Sequence, residues 1–404
     1  MAEAILYQVP DHWIKYELTE IVEELTAAKA AVLSLASIPF QRSWAEKLQA
    51  MELKREVAGT SKIEGADFTD KELDDALSDK AKGQDMTRSQ KQARAAINAY
   101  RWIAKIPNGQ PIDGDLIKGI HRRLVTGCDD DHCPPGELRA GGQNVTFGRP
   151  RHRGCEGGNE CEEALRRLIG ALNQEFQSHD KLVQALTFHY HLAAMHPFVD
   201  GNGRTARAME ALMLQRAHMK DTLFVAMSNY YYDEKDAYLE SLAAVRKDNF
   251  NLTPFLKFGL RGIDLQCRRL LREIRAHVQR SLFRDVMGKM YARLHSTRKR
   301  ALASRQVEIL NTLLDREEPI EYRDLYKLLE SHYSKLNGSM RAFVRDLNSL
   351  SSLGATFVRQ DGQKEAPLFM VGVRLEWPTE ITETEFYKEI NELPTAKTRL
   401  FVSH

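Results

Sequence analysis

Apolar residues recur at helical spacing along most of this chain. Ile21, Leu25, Ala28, Val32 and Leu35 form one stripe, and Trp44, Leu48, Met51 and Val57 predict a second helix ending near Gly59. Thr69 or Asp70 can cap a third. Ala93 to Ile106 predicts a fourth, closed by Pro107-Asn108-Gly109. Residues 1–105 therefore read as helical. Ile117, Ile120, Leu124 and Val125 make the next helix face, and Pro134-Pro135-Gly136 breaks the pattern. Val183 to Met195 and Thr205 to Gln215 predict two further helices. From Leu271 an apolar residue returns about every four positions, through Ile274, Val278, Leu282, Val286, Met290 and Leu294. That spacing predicts a long amphipathic helix over 268–296. Its other faces are basic (Arg268, Arg269, Arg272, Arg275, Arg280, Arg284, Lys289, Arg293) and lead into Arg298-Lys299-Arg300. A solvated connecting helix is the default reading; an acidic partner or nucleic acid is the alternative.

Strand patterning is sparse. Gln143 to Gly148 has strand character after two glycines. Near the end, Gln306 to Leu314 predicts a helix, and Tyr322 to Glu330 with Leu336 to Leu350 predicts a helix–turn–helix pair. Phe357-Val358-Arg359 and Leu368 to Val371, around Gln360 to Gln363, predict a two-stranded wing. This part resembles a winged helix. Such modules lay their second helix in the major groove, here with Lys335, Asn337, Ser339, Arg341 and Arg345, or serve as protein contacts. The fold class expected is mostly α. The organisation expected is a helical region at 1–110, a core at 111–265, a basic connecting helix at 266–300, a winged-helix-like part at 301–375 and a tail at 376–404.

Composition changes this picture little. The 404 residues are 43% hydrophobic and 28% charged, with a net charge of +2, as in an ordinary globular protein of two or three domains. No apolar run is long enough to span a bilayer. The start, Met1-Ala2-Glu3-Ala4-Ile5, lacks the basic and apolar parts of a secretory signal. The expectation is a cytoplasmic protein with no membrane partner. The five cysteines (Cys128, Cys133, Cys155, Cys161 and Cys267) are odd in number, which argues against a disulfide framework. Four of them cluster with His132 and His152, but no Cys-x-x-Cys pair is present, so free thiols are the better reading than zinc.

The chemistry concentrates at residues 196–207, His-Pro-Phe-Val-Asp-Gly-Asn-Gly-Arg-Thr-Ala-Arg. Gly201 and Gly203 let the backbone turn its N–H groups toward an anion, and the helix that follows presents its positive end there. Arg204 and Arg207 can grip further phosphate oxygens. Asp200 is a hard oxygen ligand suited to Mg2+, and His196 titrates near neutrality and can take a proton from a hydroxyl. His189 and His191, on the preceding helix, read as packing or hydrogen-bonding residues.

The twelve residues resemble the core motif of the Fic (Fido) proteins, His-x-Phe-x-(Asp/Glu)-Gly-Asn-Gly-Arg-x-x-Arg, with no departure at a fixed position. The resemblance implies an all-helical core with a small β-hairpin flap and transfer of AMP from ATP to a protein hydroxyl. His196 would deprotonate the target Ser, Thr or Tyr, and Asp200 would hold Mg2+. Gly201, Asn202, Gly203, Arg204, Thr205 and Arg207 would bind ATP. Val145, Thr146, Phe147 and Gly148 fit the flap, which holds the target segment by strand pairing. Basic residues follow it (Arg149, Arg151, His152, Arg153), and a plain solvated loop reads equally well. Tyr231 and Tyr238 match a Tyr-rich segment that lines the adenine pocket. Many relatives have a Tyr-Tyr pair where this chain has Ala237-Tyr238, and core packing is the competing reading.

Thr60-Ser61-Lys62-Ile63-Glu64-Gly65 alone is a helix end with a glycine cap. Beside the motif it resembles the family's inhibitory signature, (Ser/Thr)-x-x-x-Glu-(Gly/Asn), which would bring Glu64 onto Arg207. The leading expectation is a protein adenylyltransferase restrained by Glu64. Removal of AMP by the same site, and a DNA-binding regulator whose core only senses nucleotide, stand as alternatives. ATP and a target protein at 143–148 are the expected partners. Self-modification, a homodimer and DNA bound through 302–375 stay open.

Overall fold

The computed structural model describes residues 4–37, 42–66, 69–77, 86–128, 130–148, 150–217, 225–292, 297–314, 316, 318–352, 356–359 and 373–376. Fourteen α-helices and five short strands lie among them. The chain divides into two compact units, Met1–Leu271 and Arg272–His404.

The first unit carries α1 (Leu18–Ser37), α2 (Arg42–Ile63), α3 (Asp70–Leu77), α4 (Arg88–Ile103), α5 (Gly114–Val125), α6 (Asn159–Asn173), α7 (Lys181–Met195), α8 (Asn202–Arg216), α9 (Met227–Asp233) and α10 (Lys235–Lys247). Local chemistry starts several of them. The Thr69 hydroxyl accepts from the Glu72 N–H while the Glu72 carboxylate accepts from the Thr69 N–H, so Thr69 caps α3. Thr87 and Gln90 form the same box on α4, and Asp113 accepts the Leu116 N–H at 2.8 Å to open α5. Every residue of α7 from Leu182 to Met195 is buried, which is why the sequence there is apolar on nearly all sides. α8 packs along α7, α5 packs on α8, and α2 packs on α9.

The N-terminal region is not wholly helical. Ile5–Leu6 forms β1, which pairs in parallel with β3 (His152–Arg153); β3 pairs antiparallel with β2 (Thr146–Phe147). Residues 7–14 then cross the core. Tyr7 and Trp13 clasp His191, and the Trp13 and Ile14 N–H groups donate to Glu175 at 2.9 and 3.0 Å. Too short for a periodic signal, this segment is held by long-range side-chain bonds. Of Gln143 to Gly148, only Thr146 and Phe147 pair as a strand, because Gly148 already turns at φ 74°.

α2 also departs from expectation. It passes Gly59 and ends at Ile63. Gly59 is a contact point rather than a stop: a Cβ there would lie 2.4 Å from the Ser228 carbonyl carbon. The face of α2 turned inward is polar. Glu52, Glu56 and Thr60 are buried at successive helical turns. Glu52 takes the Arg269 guanidinium at 2.6 and 2.7 Å, and Glu56 accepts from the Tyr100 hydroxyl at 2.7 Å and the Ser228 N–H at 2.8 Å. Burial pushes Glu56 up to about 7 against the pull of these donors. An apolar-stripe reading cannot find a face of this kind.

α11 (Thr253–Ala292) is one unbroken 40-residue helix. In the second unit α12 (Thr297–Leu314), α13 (Tyr322–Tyr333) and α14 (Ser339–Ser352) enclose Ile309, Leu313, Leu325, Leu329, Phe343 and Leu347. Buried Asp346 accepts from Arg305 at 2.9 Å and from the Tyr333 hydroxyl at 3.0 Å. Lys335, Asn337, Arg341 and Arg345 are exposed, and Ser339 is half-buried. β4 (Thr356–Arg359) pairs antiparallel with β5 (Val373–Glu376). Residues 360–372, the tail at 377–404, Arg149 and Leu294, and the side chains of Trp44, Leu282, Val286 and Met290, lie outside the described residues. No disulfide joins any of the five cysteines, and no described helix is long and apolar enough to cross a membrane.

Ala normally stabilises a helix relative to Gly by about 1 kcal/mol. Gly59→Ala should do the opposite, because its Cβ meets main chain and not a flexible side chain. We expect a loss of about 1–3 kcal/mol in urea unfolding; a gain would show that α2 and α9 are not this close.

Candidate functional site

The loop between α7 and α8 brings residues 196–207 together. His196 ends α7 in the left-handed region (φ 55°, ψ 59°), and its N–H still bonds the Leu192 carbonyl. Its Nδ1 lies 2.9 Å from the Ala193 carbonyl. A carbonyl only accepts, so Nδ1 carries the proton and Nε2 of the neutral ring keeps its lone pair. Phe147 of the flap stacks on this ring at 3.9 Å and 13°. Arg246 from α10 lies over the other ring, with its guanidinium carbon 4.8 Å from the Phe147 centroid. Burial pushes His196 down to about 4; Arg246 and Arg139 push the same way, against the Ala193 carbonyl and Glu64. The imidazole is therefore neutral and able to accept a proton at pH 7.

Asn202 closes the loop. Its amide nitrogen donates to the Phe198 carbonyl and its oxygen accepts the Phe198 N–H, both at 2.8 Å. This side chain is spent on the fold, and only its backbone N–H is left for an anion. α8 starts three residues earlier than the apolar pattern predicts. Of the two glycines, only Gly201 sits in the left-handed region, at φ 75°, where a Cβ would also strike Val125 at 2.7 Å. Gly203 is already helical. Its lack of a side chain matters for space, because a Cβ there would lie 2.6 Å from Glu64 Oε1 and 3.1 Å from Arg207 Nη1. The N–H groups of Asn202, Gly203 and Arg204 have no partner within the helix, while Thr205 turns inward and its hydroxyl and N–H both bond the Gly201 carbonyl.

The two arginines diverge. Arg204 Nη2 bonds Asp200 Oδ2 at 3.0 Å, while its Nε and Nη1 are buried without a partner. Burial raises the Asp200 carboxyl, but Arg204 and the Gly201 N–H, at 2.6 Å from Oδ1, outweigh it and hold the group below the usual carboxylate range. The Asp200 side chain is 41% exposed. Arg207 is 3% exposed and turns to α2: Nε bonds the Thr60 hydroxyl at 3.0 Å, and Nη2 bonds Glu64 Oε1 at 2.6 Å. Burial works against this charge, and Glu64 more than offsets it.

Glu64 is held in place by the way α2 stops. The Gly65 N–H bonds the Lys62 carbonyl and the Ala66 N–H bonds the Ser61 carbonyl, a Schellman closure with Gly65 at φ 83°. Behind Arg207, Tyr238 and Tyr231 are buried and stacked at 4.6 Å. The Tyr238 hydroxyl meets His189 Nε2 at 2.9 Å, and the Tyr231 hydroxyl donates to Glu210 at 2.8 Å. His189 Nδ1 also meets Glu210, so His189 belongs to this buried network, as His191 belongs to the one around Tyr7 and Trp13.

Three residues of the site lack a sequence signal of their own. His121 Nε2 donates to the Asp200 carbonyl at 3.0 Å, its Nδ1 accepts the Gly136 N–H, and its ring stacks on Phe198 at 3.7 Å. A histidine within the apolar face of α5 was the only hint. Arg139 and Arg246 look like ordinary basic residues in the sequence; the fold buries the first and half-buries the second. Of Val145, Thr146, Phe147 and Gly148, Phe147 reaches the site, by its stack on His196. Among the described residues no three His, Cys, Asp or Glu side chains converge as a metal site.

The His196 ring should stay neutral well below its ordinary pKa. In a proton–carbon NMR titration its ring signal should hold constant through pH 6.5 and move only near pH 4; a midpoint near 6.5 would show the ring to be solvated.

Residues 111–214 match the model of the Fic/DOC family. The fold is similar to the crystal structure of a Fic family protein from Desulfovibrio desulfuricans G20, at 18% identity over 92% of this chain and 98% of that one, with a TM-score of 0.56. It is also similar to a fragment of Fic-1 from C. elegans, at 19% identity over 63% of this chain and 72% of that one, with a TM-score of 0.53. The chain carries a Fic/DOC domain within a mostly helical, Fic-like fold.

Proposed function

We propose that this chain is a protein adenylyltransferase, transferring AMP from ATP to a hydroxyl side chain and restrained by Glu64. Domains of this family commonly carry such transferase activity. The observation that carries the reading is His196, with Nδ1–H fixed on Ala193 and a neutral Nε2 beside the N-terminus of α8. Nε2 takes the proton of the target hydroxyl as its oxygen attacks the α-phosphorus. The bond from that phosphorus to the bridging oxygen breaks, and diphosphate leaves. The N–H groups of Asn202, Gly203 and Arg204, with the partnerless nitrogens of Arg204, receive phosphate oxygens. Tyr238 supports the Arg207 guanidinium and Tyr231 stacks on Tyr238; both are buried, so they pack the interior behind Arg207 more than they offer a ring face to adenine.

Mg2+ fits Asp200, whose carboxylate is ionised, partly exposed and next to the phosphate-binding N–H groups. One protein carboxylate plus phosphate oxygens is an ordinary Mg2+ ligand set, and the bound ion would neutralise charge on the leaving diphosphate. Glu64 takes the guanidinium that a terminal phosphate would need and fills the space in front of Gly203. ATP then binds, if at all, out of line for attack. The free edge of β2 is where a target segment pairs with the flap. The exposed Lys335, Asn337, Arg341 and Arg345 favour a second reading, a nucleotide-sensing DNA regulator, which retention on DNA at moderate salt would support.

The test is intact-protein mass after incubation with ATP and Mg2+. Glu64→Gly should gain one AMP unit, and Glu64→Gly/His196→Ala should gain none. No gain in any form turns the reading toward removal of AMP or toward the regulator. Arg207→Ala in the Glu64→Gly background should weaken ATP binding by about tenfold or more, the scale of one charge-assisted contact. Unchanged affinity by calorimetry would remove Arg207 from the phosphate site.

A further inference from the structure

Arg139 is among the largest fully buried side chains of the protein, at 1% exposure. A buried guanidinium usually meets a carboxylate. This one is satisfied by three main-chain carbonyls: Nε donates to His196 at 2.7 Å, Nη1 to Gln143 at 2.6 Å and Nη2 to Cys155 at 2.6 Å. Nη2 also lies 3.6 Å from the Cys155 sulfur. The carbonyls come from three places with distinct roles. Gln143 precedes β2, Cys155 follows β3, and His196 is the proposed base. One planar group therefore ties both feet of the flap hairpin to the residue on which the flap's Phe147 stacks.

The backbone around Arg139 makes the same connection. Its N–H donates to the Pro197 carbonyl at 2.9 Å, and its carbonyl accepts the Gly158 N–H at 2.7 Å. The Cys155 N–H bonds the Met195 carbonyl at 3.0 Å. The fit is close enough that a Cβ at Gly154 would lie 2.8 Å from the His196 Cβ. His196 is left-handed and not glycine, a conformation that persists only where its surroundings over-determine it. The Arg139–His196 bond is one of the contacts that hold it. The fixed fork of a guanidinium can span three divergent acceptors, which a lysine ammonium on a flexible stem does not reproduce.

We propose that Arg139 is a positioning residue that sets the distance between the flap, where a target strand pairs, and the His196 base. It touches neither ATP nor the target, so its loss should act on the transfer step and leave nucleotide binding alone. The inference rests on the adenylyl-transfer reading for its kinetic consequence and on the geometry alone for its structural one.

The test uses the full chain with Glu64→Gly as parent, and adds Arg139→Met, Arg139→Lys and Arg139→Gln. Three quantities are read: the rate of AMP self-labelling by intact mass, the ATP dissociation constant by calorimetry, and the His196 ring resonance with amide exchange across residues 145–154. Arg139→Met should slow labelling on the order of 100-fold, the scale of a misplacement of about 1 Å. ATP affinity should stay within about twofold, as for a residue that contacts no phosphate. The His196 resonance should shift as the Phe147 stack loosens, and flap exchange should quicken. Arg139→Lys, which keeps a donor, should recover part of the rate. If Arg139→Met does not fold, the Lys and Gln variants carry the same comparison. Labelling within about twofold of the parent, or ATP affinity falling in step with the rate, would overturn the proposal. If the parent itself takes up no AMP, the transfer reading fails on its own. The His196 resonance and flap exchange then decide: unchanged values in every variant overturn the positioning role, and altered values uphold it.

Discussion

Arg207 is a guanidinium with almost no access to water, and a charge in that position must be met by hydrogen-bond acceptors or the fold pays several kcal/mol. Its acceptors are Thr60 and Glu64, both from the end of α2. Much of the site follows from that need. α2 must stop where Glu64 can turn back, so Gly65 takes the left-handed conformation that closes the helix. The first turn of α8 must leave room for the carboxylate, so Gly203 has no side chain. Thr60 must be reached at the bottom of the interface, so α2 comes close enough to α9 that Gly59 meets main chain.

Under the proposed function, this contact would make restraint and competence two states of one acceptor problem. Phosphate oxygens can satisfy Arg207 as well as Glu64 can. The interior face of α2 above that point is polar, with Glu52 and Glu56 bonded to Arg269, Ser228 and Tyr100. Such a face gains less from burial than an apolar one, because its groups also bond water well when exposed. α2 is thus docked by specific partners more than by hydrophobic area.

The proposed base and anion site are organised from the other side. Two residues of the segment 121–139 reach the carbonyls at the ends of the motif loop: Arg139 bonds His196 and His121 bonds Asp200. Asn202 closes the loop between them. The loop therefore has little freedom before any ligand arrives, as a site that depends on preorganised N–H groups requires.

Helical periodicity and a contiguous motif made α5, α7, the loop at 196–207 and the glycine-closed end of α2 at 60–65 legible in the sequence, because each depends on neighbours in the chain. The start of α8 and the length of α2 were misread. Gly201 and Gly59 look like breaks, yet one is a helix cap and the other a packing contact. β1 was missed because two residues carry no period. The division of labour among the charged residues was decided by tertiary structure alone. That Arg204 faces Asp200 while Arg207 faces Glu64 follows from helix rotation and from what α2 brings against it. That Arg139 and His121 serve the loop follows from burial. A side chain's type and spacing state which bonds it can make; only the folded chain, by excluding water and leaving particular carbonyls within reach, determines which bonds it must make.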